Sequence, residues 1–253
     1  MYFPILQSQL LLLNCLGALS IPLTALLASI IFSRREYKLR ALLAGQLSAL
    51  ACALFALAFY MVHPQDLSFS VAGLFELKFD LLSLVLALLI TFISSIVLFF
   101  SERYLVGDSR QTAFMQHLVV LTSFAAFLSA SDNLILSLVC WHGISLTLWR
   151  LVGLRKGGGA AQRTVLAHHV LSDAAFALSA CLLVAVCGTA NLTELSSRVT
   201  LLGEQVWFKS SMPVSALTVA SLLLVVSLSI KSALFPFHRW LLATLEAPTP
   251  LSG

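Results

Sequence analysis

The chain has 253 residues, of which 59% are hydrophobic and only 10% are charged, with a formal net charge of +4. A soluble domain carries about a quarter charged residues, so the composition excludes an ordinary water-soluble globular protein. Apolar stretches close to the ~20 residues that cross the hydrocarbon of a bilayer recur along the whole chain. The sequence therefore predicts an all-α fold, a polytopic bundle of transmembrane helices in a lipid bilayer.

Seven transmembrane helices are predicted in chain order. We expect the first to be retained, because its apolar stretch is longer than a signal-peptide core and no basic residue precedes it. The third begins after Asp80, which is expected to cap its N-terminus. The seventh is broken at Pro236, since proline removes a backbone donor and crowds the preceding turn. The predicted helices cover 9–32, 41–62, 81–101, 113–130, 133–154, 165–188 and 213–235.

Lys and Arg are unequally distributed over the predicted loops. The loops after helices one, three and five hold Arg34, Arg35, Lys38, Arg40, Arg103, Arg110, Arg155, Lys156 and Arg163. The loops after helices two, four and six hold only Lys78, Arg198 and Lys209. Because cytoplasmic loops carry the excess of basic residues, we expect the N-terminus on the outside of the cell inner membrane. No basic stripe with interleaved aromatic residues occurs, so no nucleic-acid partner is expected.

Polar connections join the helices, and no Pro- or Ser-rich linker separates a second domain. Residues 1–253 are therefore expected to form a single membrane domain. The connection 189–212 mixes charged residues with an apolar run at 199–202, which predicts an amphipathic segment at the membrane interface. The five cysteines lie in apolar segments without a C-x-x-C pair, so neither a disulfide framework nor a zinc site is predicted in this chain.

Lys231 is the most informative residue, because it lies inside the apolar run 214–242. An ammonium near the bilayer centre costs roughly 2.5–3.5 kcal/mol on insertion scales. Such a residue usually faces the protein interior and marks an ion or proton path. The sequence therefore predicts that Lys231 is the central relay of a proton or cation path.

Asp173 lies about eight residues, or ~12 Å, into the predicted sixth helix, below the headgroup zone. His169 precedes it by four residues and shares its face, so the imidazole and carboxylate can pass a proton along. The alternative is a structural hydrogen bond between two buried polar groups. A metal site formed by His168, His169 and Asp173 is disfavoured, because adjacent helical residues diverge by about 100° and a structural site needs four ligands.

Helix five carries a polar stripe, since His142, Ser145 and Trp149 follow three-and-four spacing. For His142, a neutral histidine bonded to a carbonyl and a proton relay are equally consistent with the sequence. His238 follows the break at Pro236, where freed backbone groups make room for a polar path between half-helices. The predicted path comprises Lys231, Asp173, His169, His142 and His238.

A long motif surrounds Lys231. Residues 231–241 read K-S-A-L-F-P-F-H-R-W-L, and residues 246–252 read E-A-P-T-P-L-S. This closely resembles the K-S-A-x-x-P-x-x-x-W-L…E-x-P-T-P-x-S signature of antiporter-like membrane subunits. That superfamily includes the L-type subunit of respiratory complex I, the large Mrp-type antiporter subunit and DabB, the membrane subunit of inorganic carbon pumps. The segments F-D-L-L-S-L at 79–84 and D-N-L at 132–134 also resemble it, so the match runs from about residue 80 onward.

The resemblance carries over residue by residue. The superfamily's lysine on broken helix seven falls on Lys231, and its helix-six acid falls on Asp173. Residues 170–173 read V-L-S-D and lack the arginine and glycine of the superfamily's R-x-G-D pattern. Complex I subunits carry W-E-G on helix five, where the glutamate pairs electrostatically with the lysine. Here residues 141–143 read W-H-G, so His142 replaces that glutamate, which argues against a complex I subunit.

Three further segments resemble DabB. Residues 145–151 are similar to its S-L-x-L-H-R-L, residues 103–108 to its R-Y-L-x-G-D and residues 235–238 to its F-P-F-H. The resemblance implies a transporter subunit, not an enzyme. It implies pairing with a peripheral, zinc-dependent DabA-type subunit, with no cofactor in this chain. Together they are expected to couple a cation gradient to carbonic-anhydrase-like conversion of CO2 into trapped bicarbonate.

Two alternatives remain open. One is a proton-translocating subunit of complex I or of an Mrp-type antiporter, and the other is a membrane anchor without transport of its own. The buried Lys231 argues against the anchor. Superfamily members continue for several helices beyond P-T-P-x-S, so the domain is expected to be incomplete at its C-terminus.

Overall fold

The computed structural model describes residues 2–71, 75–154, 159–209 and 216–245. The basic pair Arg155 and Lys156 and the motif at 246–252 lie outside the described residues. The helices are α1 Tyr2–Ile31, α2 Arg35–Val62, α3 Leu81–Tyr104, α4 Gln111–Ala130, α5 Leu134–Gly153, α6 Gly159–Cys187, α7 Leu192–Lys209, α8 Ala216–Lys231 and α9 Arg239–Leu245. Two strands, β1 Leu67–Val71 and β2 Phe75–Phe79, lie between α2 and α3.

Helices α1 to α6 are each long and apolar enough to cross a membrane, which confirms the predicted polytopic bundle. The predicted cap of the third helix is also confirmed. Ser83 N donates to Asp80 Oδ1 at 2.8 Å, and Asp80 N donates to Ser83 Oγ at 2.9 Å. This reciprocal capping box satisfies backbone donors that the first turn of α3 leaves free.

The seventh predicted helix appears as two short helices, α8 and α9. The helical conformation ends at Lys231, five residues before Pro236, so the break begins earlier than predicted. Ala233 adopts a positive φ of 53°, a left-handed conformation that does not continue a right-handed helix. The residue before a proline is also disfavoured in α conformation, so the chain resumes a helix only at Arg239. Lys231 consequently ends a helix instead of lying within one.

The sequence predicted only a connection between the second and third helices, but the structure has a β-hairpin there. Its strands pair antiparallel, with Leu67 opposite Phe79 and Phe69 opposite Leu77. In β2 the buried side chains alternate with more exposed ones, as a half-buried strand requires. Leu77 and Phe79 pack into the apolar core formed with α1, α2, α3 and α4. The hairpin therefore closes one end of the bundle.

The loops after α1 and α3 meet the C-terminal end of α5 at one end of the bundle, here called the basic end. Arg35 Nη2 donates to Asp108 O at 2.5 Å, which joins the loops after α1 and α3. Arg110 Nη1 donates to Leu154 O at 2.5 Å, which joins the loop after α3 to the end of α5. The predicted grouping of the loops after α1 and α3 agrees with this arrangement, whereas Arg155 and Lys156 lie outside the described residues. Which side of the membrane this end faces stays a prediction.

The opposite end, here called the hairpin end, is fastened by a network that we call the clasp: Glu76, Asp132, Asn133, Asn191 and Thr193. Glu76 Oε2 accepts from Asn191 Nδ2 at 2.8 Å and from Asn133 Nδ2 at 3.2 Å. Asp132 Oδ1 accepts from Thr193 N at 3.1 Å and from Thr193 Oγ1 at 2.9 Å. The clasp thus ties β2, the α4–α5 connection and the start of α7 together.

Helix α7 occupies most of the connection for which an amphipathic segment was predicted. It follows α6 at the hairpin end and lies outside the six candidate spans. Residues 210–212 of that connection lie outside the described residues. A location of α7 at the membrane surface stays a prediction.

Candidate functional site

Three helices bring their ionisable residues together at the middle of the bundle. Asp173 stands fourteen residues, about 21 Å of helical rise, from either end of α6. Lys231, the last residue of α8, places Nζ 3.3 Å from Asp173 Oδ1. The two side chains are only 12% and 6% exposed. The lysine and the aspartate that the sequence singled out therefore form a buried ion pair at mid-membrane depth.

The ammonium of Lys231 has an oxygen for each of its three N–H donors. Besides Asp173 Oδ1, Nζ donates to Trp141 O at 2.8 Å and to Ser145 Oγ at 2.6 Å, both on α5. The ring of Trp141 also lies beneath the ammonium, with its centroid 4.5 Å from Nζ. These contacts offset the cost of removing the charge from water, which the ion pair alone would not reliably recover.

Ser145 is the hub of the site. Its hydroxyl accepts from Lys231 and donates to Asp173 Oδ1 at 2.8 Å. His169 Nδ1 lies 3.3 Å from the hydroxyl oxygen of Ser145. His169 is only 2% exposed, and its ring packs edge-on against Trp240 with centroids 4.7 Å apart. The structure thus places Ser145 between His169 and the ion pair, where the sequence suggested a direct exchange between His169 and Asp173.

His142 contacts the other oxygen of the same carboxylate. Its Nδ1 lies 2.8 Å from Asp173 Oδ2, within ion-pair distance but off the direction of a well-aligned hydrogen bond. Its side chain is 54% exposed, unlike those of the other members. Asp173 therefore bridges two nitrogen bases, with Lys231 on one oxygen and His142 on the other. We call Lys231, Asp173, His142, His169 and Ser145 the ion cluster.

His238 is the one predicted path residue that lies apart. Within the described ranges it makes no hydrogen bond, ion pair or ring contact with the ion cluster. Its ring stacks on Phe235, with centroids 5.8 Å apart, and its Nδ1 is buried without a hydrogen-bond partner. His238 lies in the segment between α8 and α9. Because α9 packs against the part of α6 that leads to the basic end, His238 lies on that side of the ion cluster.

The contributions of Trp141 and Trp240 to the site were not foreseen from the sequence, and Ser145 had been named only as part of the polar stripe of helix five. Trp141 supplies a carbonyl oxygen and an aromatic face, and Ser145 supplies the hub hydroxyl. Trp240 donates from Nε1 to Ile230 O at 2.7 Å, which fixes α9 against the last turn of α8. A usable signal existed for Trp141, because it is spaced i, i+4 from Ser145 and so shares one face of α5 with that residue.

A line of hydroxyls leads from the ion cluster toward the hairpin end along the contact between α6 and α8. Ser172 Oγ and Ser227 Oγ lie 3.1 Å apart, and Ser172 Oγ also donates to Ser227 O at 3.0 Å. Two turns further along α6, Ser179 Oγ donates to Ala220 O at 2.7 Å. All three serines are fully buried. The interface between these helices is therefore polar as well as closely packed.

Two protein-family models match the chain. The model described as NADH:quinone oxidoreductase/Mrp antiporter, TM matches residues 131–253. The model described as NADH-Ubiquinone oxidoreductase (complex I), chain 5 N-terminus matches residues 66–115. The first match contains α5, α6 and α8, which carry the whole ion cluster.

Curated relatives fall into two groups. The chain is 27% identical over 255 residues to NADH-quinone oxidoreductase subunit L of Rickettsia conorii, an alignment that covers 94% of this chain and 38% of that protein. It is 31% identical over 188 residues to a probable inorganic carbon transporter subunit, DabB1, of Halothiobacillus neapolitanus, covering 70% and 32%. It is 32% identical over 178 residues to subunit DabB2 of the same organism, covering 68% and 30%. The chain spans only 38%, 32% and 30% of the length of these three relatives.

Proposed function

Because this chain belongs to the antiporter-like membrane subunits of the complex I and Mrp type, we propose that it conducts protons or another cation for an inorganic carbon pump. The observation that carries this proposal is the ion pair of Lys231 and Asp173 at the middle of α6, with side chains 12% and 6% exposed. Ionisable residues at this depth are expensive and mark ion or proton paths by default. A membrane anchor has no use for such a pair.

The ion cluster offers a proton two continuous routes. A proton on Lys231 passes to the Ser145 hydroxyl, which releases its own proton to Asp173 Oδ1 or to His169 Nδ1. Asp173 Oδ2 in turn exchanges a proton with His142 Nδ1 across 2.8 Å. An imidazole ring can accept a proton on one nitrogen and release one from the other, which suits both histidines to a proton relay.

Different polar groups line the proposed path on the two sides of the ion cluster. On the side of the hairpin end, the buried hydroxyls of Ser172, Ser227 and Ser179 line the contact between α6 and α8. On the side of the basic end, His169 and His238 carry buried ring nitrogens without hydrogen-bond partners. Buried nitrogens of this kind are places where a water molecule completes a polar chain. The proposed path therefore runs from the hydroxyls through the ion cluster to His238.

A carbon pump is the finer assignment that His142 and the comparisons support. The residue on α5 that faces Asp173 is a histidine, so it pairs with the carboxylate and not with Lys231. Identity is 31% and 32% to the two carbon transporter subunits and 27% to subunit L. In this function a peripheral DabA-type subunit holds the zinc and converts CO2 to bicarbonate. This chain supplies the cation path in the inner membrane, with its N-terminus outside.

The second candidate is a proton-translocating subunit of NADH-quinone oxidoreductase or of an Mrp-type antiporter. The alignment to subunit L favours it, because that alignment covers 94% of this chain against 70% for DabB1. The same Lys231 and Asp173 would serve in either assembly.

Purification of the tagged complex from its native host distinguishes the two. We expect a zinc-containing peripheral protein to co-purify, and we expect bicarbonate uptake by intact cells that a protonophore abolishes. Co-purification of quinone-reductase subunits, with NADH-dependent quinone reduction, would assign the chain to the second candidate. The Lys231→Ala variant serves as the control, since uptake that persists at normal abundance would remove the cation path from either function.

A further inference from the structure

The indole ring of Trp141 contacts both polar networks of the proposed path. Its face lies beneath the Lys231 ammonium, with the ring centroid 4.5 Å from Nζ. Its Nε1 donates to Ser172 Oγ at 3.4 Å, where the line of hydroxyls between α6 and α8 begins. The ring of Phe176 packs against the indole, with centroids 5.2 Å apart. Trp141 therefore stands between the ion cluster and the hydroxyls.

Within the described residues no hydrogen bond bypasses this ring. The three N–H donors of the Lys231 ammonium are occupied by oxygens of Trp141, Ser145 and Asp173. The Ser172 hydroxyl has one hydrogen, which it donates to Ser227 O at 3.0 Å. Its oxygen accepts from the Trp141 indole and from the Ser227 hydroxyl, 3.1 Å away. Both networks are thus saturated where they meet.

The chemistry of the indole makes this meeting point a barrier to protons. An indole nitrogen is a donor only, so Trp141 cannot accept a proton from Ser172 and pass one to Lys231. The ring therefore interrupts the proton chain for as long as it keeps both contacts.

The contacts that hold the ring depend on the charge of Lys231. The hydrogen bond to Ser172 is weak, because its 3.4 Å exceeds the usual length of about 2.9 Å. The stronger hold is the attraction between the ring face and the ammonium, which exists only while the lysine is charged. Once Lys231 has passed its proton to Ser145, the ring is held by packing and one long hydrogen bond.

We propose that Trp141 is the gate between the hydroxyls and the ion cluster, closed over a charged Lys231 and released when the lysine is neutral. With the ring rotated away, one water molecule bridges Ser172 Oγ and Lys231 Nζ. The water gives a proton to the neutral amine and takes one from the Ser172 hydroxyl, which is restored from Ser227. Trp141 acts through the lysine that it covers, so it is a positioning residue. This inference rests on the proposed proton path through Lys231.

Passive proton flux through the complete complex tests the gate. The purified complex is reconstituted in liposomes that contain a pH-sensitive dye, and a potassium diffusion potential drives protons inward without bicarbonate. We expect Trp141→Ala to raise the flux about 10-fold over wild type, because the ring no longer has to leave its cation–π contact before water reaches Lys231. Trp141→Phe keeps an aromatic face over the ammonium and should stay close to wild type.

Three further variants separate a gate from a packing defect. Trp141→Ala combined with Lys231→Ala should lose the extra flux, since the leak passes through the lysine. Trp149→Ala removes an indole from the same helix, two turns closer to the basic end, where the ring lies beside Arg150. It should not leak. Trp141→Leu keeps most of the apolar bulk and should leak like Trp141→Ala even where the alanine variant assembles poorly.

Wild-type flux in assembled Trp141→Ala or Trp141→Leu complex would overturn the proposal. So would extra flux that remains without Lys231, or an equal leak from Trp149→Ala. The fate of the proposed function is separate. A leak that needs Lys231 in a complex without bicarbonate uptake would retain the gate and reject the carbon pump. Wild-type flux in Trp141→Ala, in a complex whose uptake needs Lys231, would reject the gate and retain the pump.

Discussion

The ion cluster and the clasp are built on the same plan with different donors. In each, a carboxylate accepts from side chains of two other elements. Asp173 accepts from Lys231 and Ser145 and contacts His142, and it lies at the centre of the bundle. Glu76 accepts from the amides of Asn133 and Asn191 at the hairpin end. The arrangement alone therefore does not separate a structural network from a transporting one.

The ion cluster and the clasp differ in the chemistry of their donor groups. A carboxamide holds its hydrogens over the whole physiological pH range, so Asn133 and Asn191 hold Glu76 in place but cannot pass a proton to it. An ammonium, an imidazole and a hydroxyl can each release a proton to the carboxylate they contact. The two networks also lie at different depths. The ion cluster lies at the centre of the bundle, and charges in a low-dielectric interior interact far more strongly than charges near water. Substitutions in the two networks should therefore have different consequences.

The largest effect is expected from Lys231→Ala. The change leaves Asp173 buried without its counter-ion, which costs roughly 3–5 kcal/mol in buried pairs, and removes the central proton carrier. Uptake by the complete complex should fall to background once it is normalised to protein abundance. Lys78→Ala, on β2 at the hairpin end, is the control and should leave uptake intact. Full uptake by Lys231→Ala at normal abundance would exclude Lys231 from the path.

Asp173→Asn should come next. The side chain keeps its shape and still accepts from Ser145, but it loses the charge that pairs with Lys231. We expect uptake to fall at least ~10-fold while assembly stays normal, because a one-unit change of charge in a buried pair is worth several kcal/mol. Asp66→Asn, which retains an acceptor for Tyr60 in the exposed hairpin region, is the matched control. Unchanged uptake in Asp173→Asn would reject a charge role.

Ser145→Ala is compared with the loss of a second serine on the same helix, α5. It removes the oxygen that contacts Lys231, Asp173 and His169, and each unsatisfied buried group costs about 1–3 kcal/mol. We expect uptake to slow about 10-fold with the ion pair still in place. Ser137→Ala, two turns closer to the hairpin end, removes a hydroxyl that donates to Ser131 Oγ at 3.0 Å. It should lower stability by about 1 kcal/mol without changing uptake. Equal uptake by both variants would mean that Ser145 is only structural.

Glu76→Gln tests the clasp. The amide keeps one acceptor oxygen but loses the charge that strengthens both hydrogen bonds, which are worth about 1.5–3 kcal/mol each when charged. The melting temperature in detergent should fall by several degrees, while uptake below that temperature stays at the wild-type level. A transport defect as large as that of Asp173→Asn would show that the clasp is part of the path.

The smallest effect is expected at Glu194, on α7. The Thr189 hydroxyl, and then the Arg198 guanidinium, hold the pKa of this exposed carboxyl below its ordinary value of 4.5. A lowered folded-state pKa contributes stability above pH 4.5, and this stability is lost as the pH falls through the lowered pKa. Thermal unfolding temperatures of Glu194→Gln and wild type should therefore differ slightly at pH 7 and converge as the pH falls through the lowered pKa. A difference that grows on acidification would contradict this.

Several features were predictable because they depend on local pattern alone. The length and apolarity of the segments predict α1 to α6, and counting residues from the start of the predicted sixth helix places Asp173 below the headgroup zone. The Asp80 cap was predictable from the same kind of evidence, since a capping box involves residues three apart. The importance of Lys231 followed from its cost in hydrocarbon, which is independent of the fold.

The hairpin and the early end of α8 were harder to foresee. A five-residue strand with alternating burial gives a weak signal beside helices of more than twenty residues, and its pairing depends on a partner strand. The break was expected at Pro236, because proline is the visible helix breaker. The left-handed conformation of Ala233 ends the helix earlier, and no local sequence rule predicts such a conformation for alanine.

The sequence by itself determined that this chain is a membrane helix bundle with a lysine, an aspartate and histidines at the depth of the hydrocarbon. Only the tertiary structure decided which of them touch. The contacts between α5, α6 and α8 depend on how far each helix is rotated about its axis, and a rotation of one residue, about 100°, exchanges the residues that face a neighbour. That rotation places Ser145 between His169 and Lys231, turns His142 half outward and leaves His238 apart, because packing across the whole interface sets it.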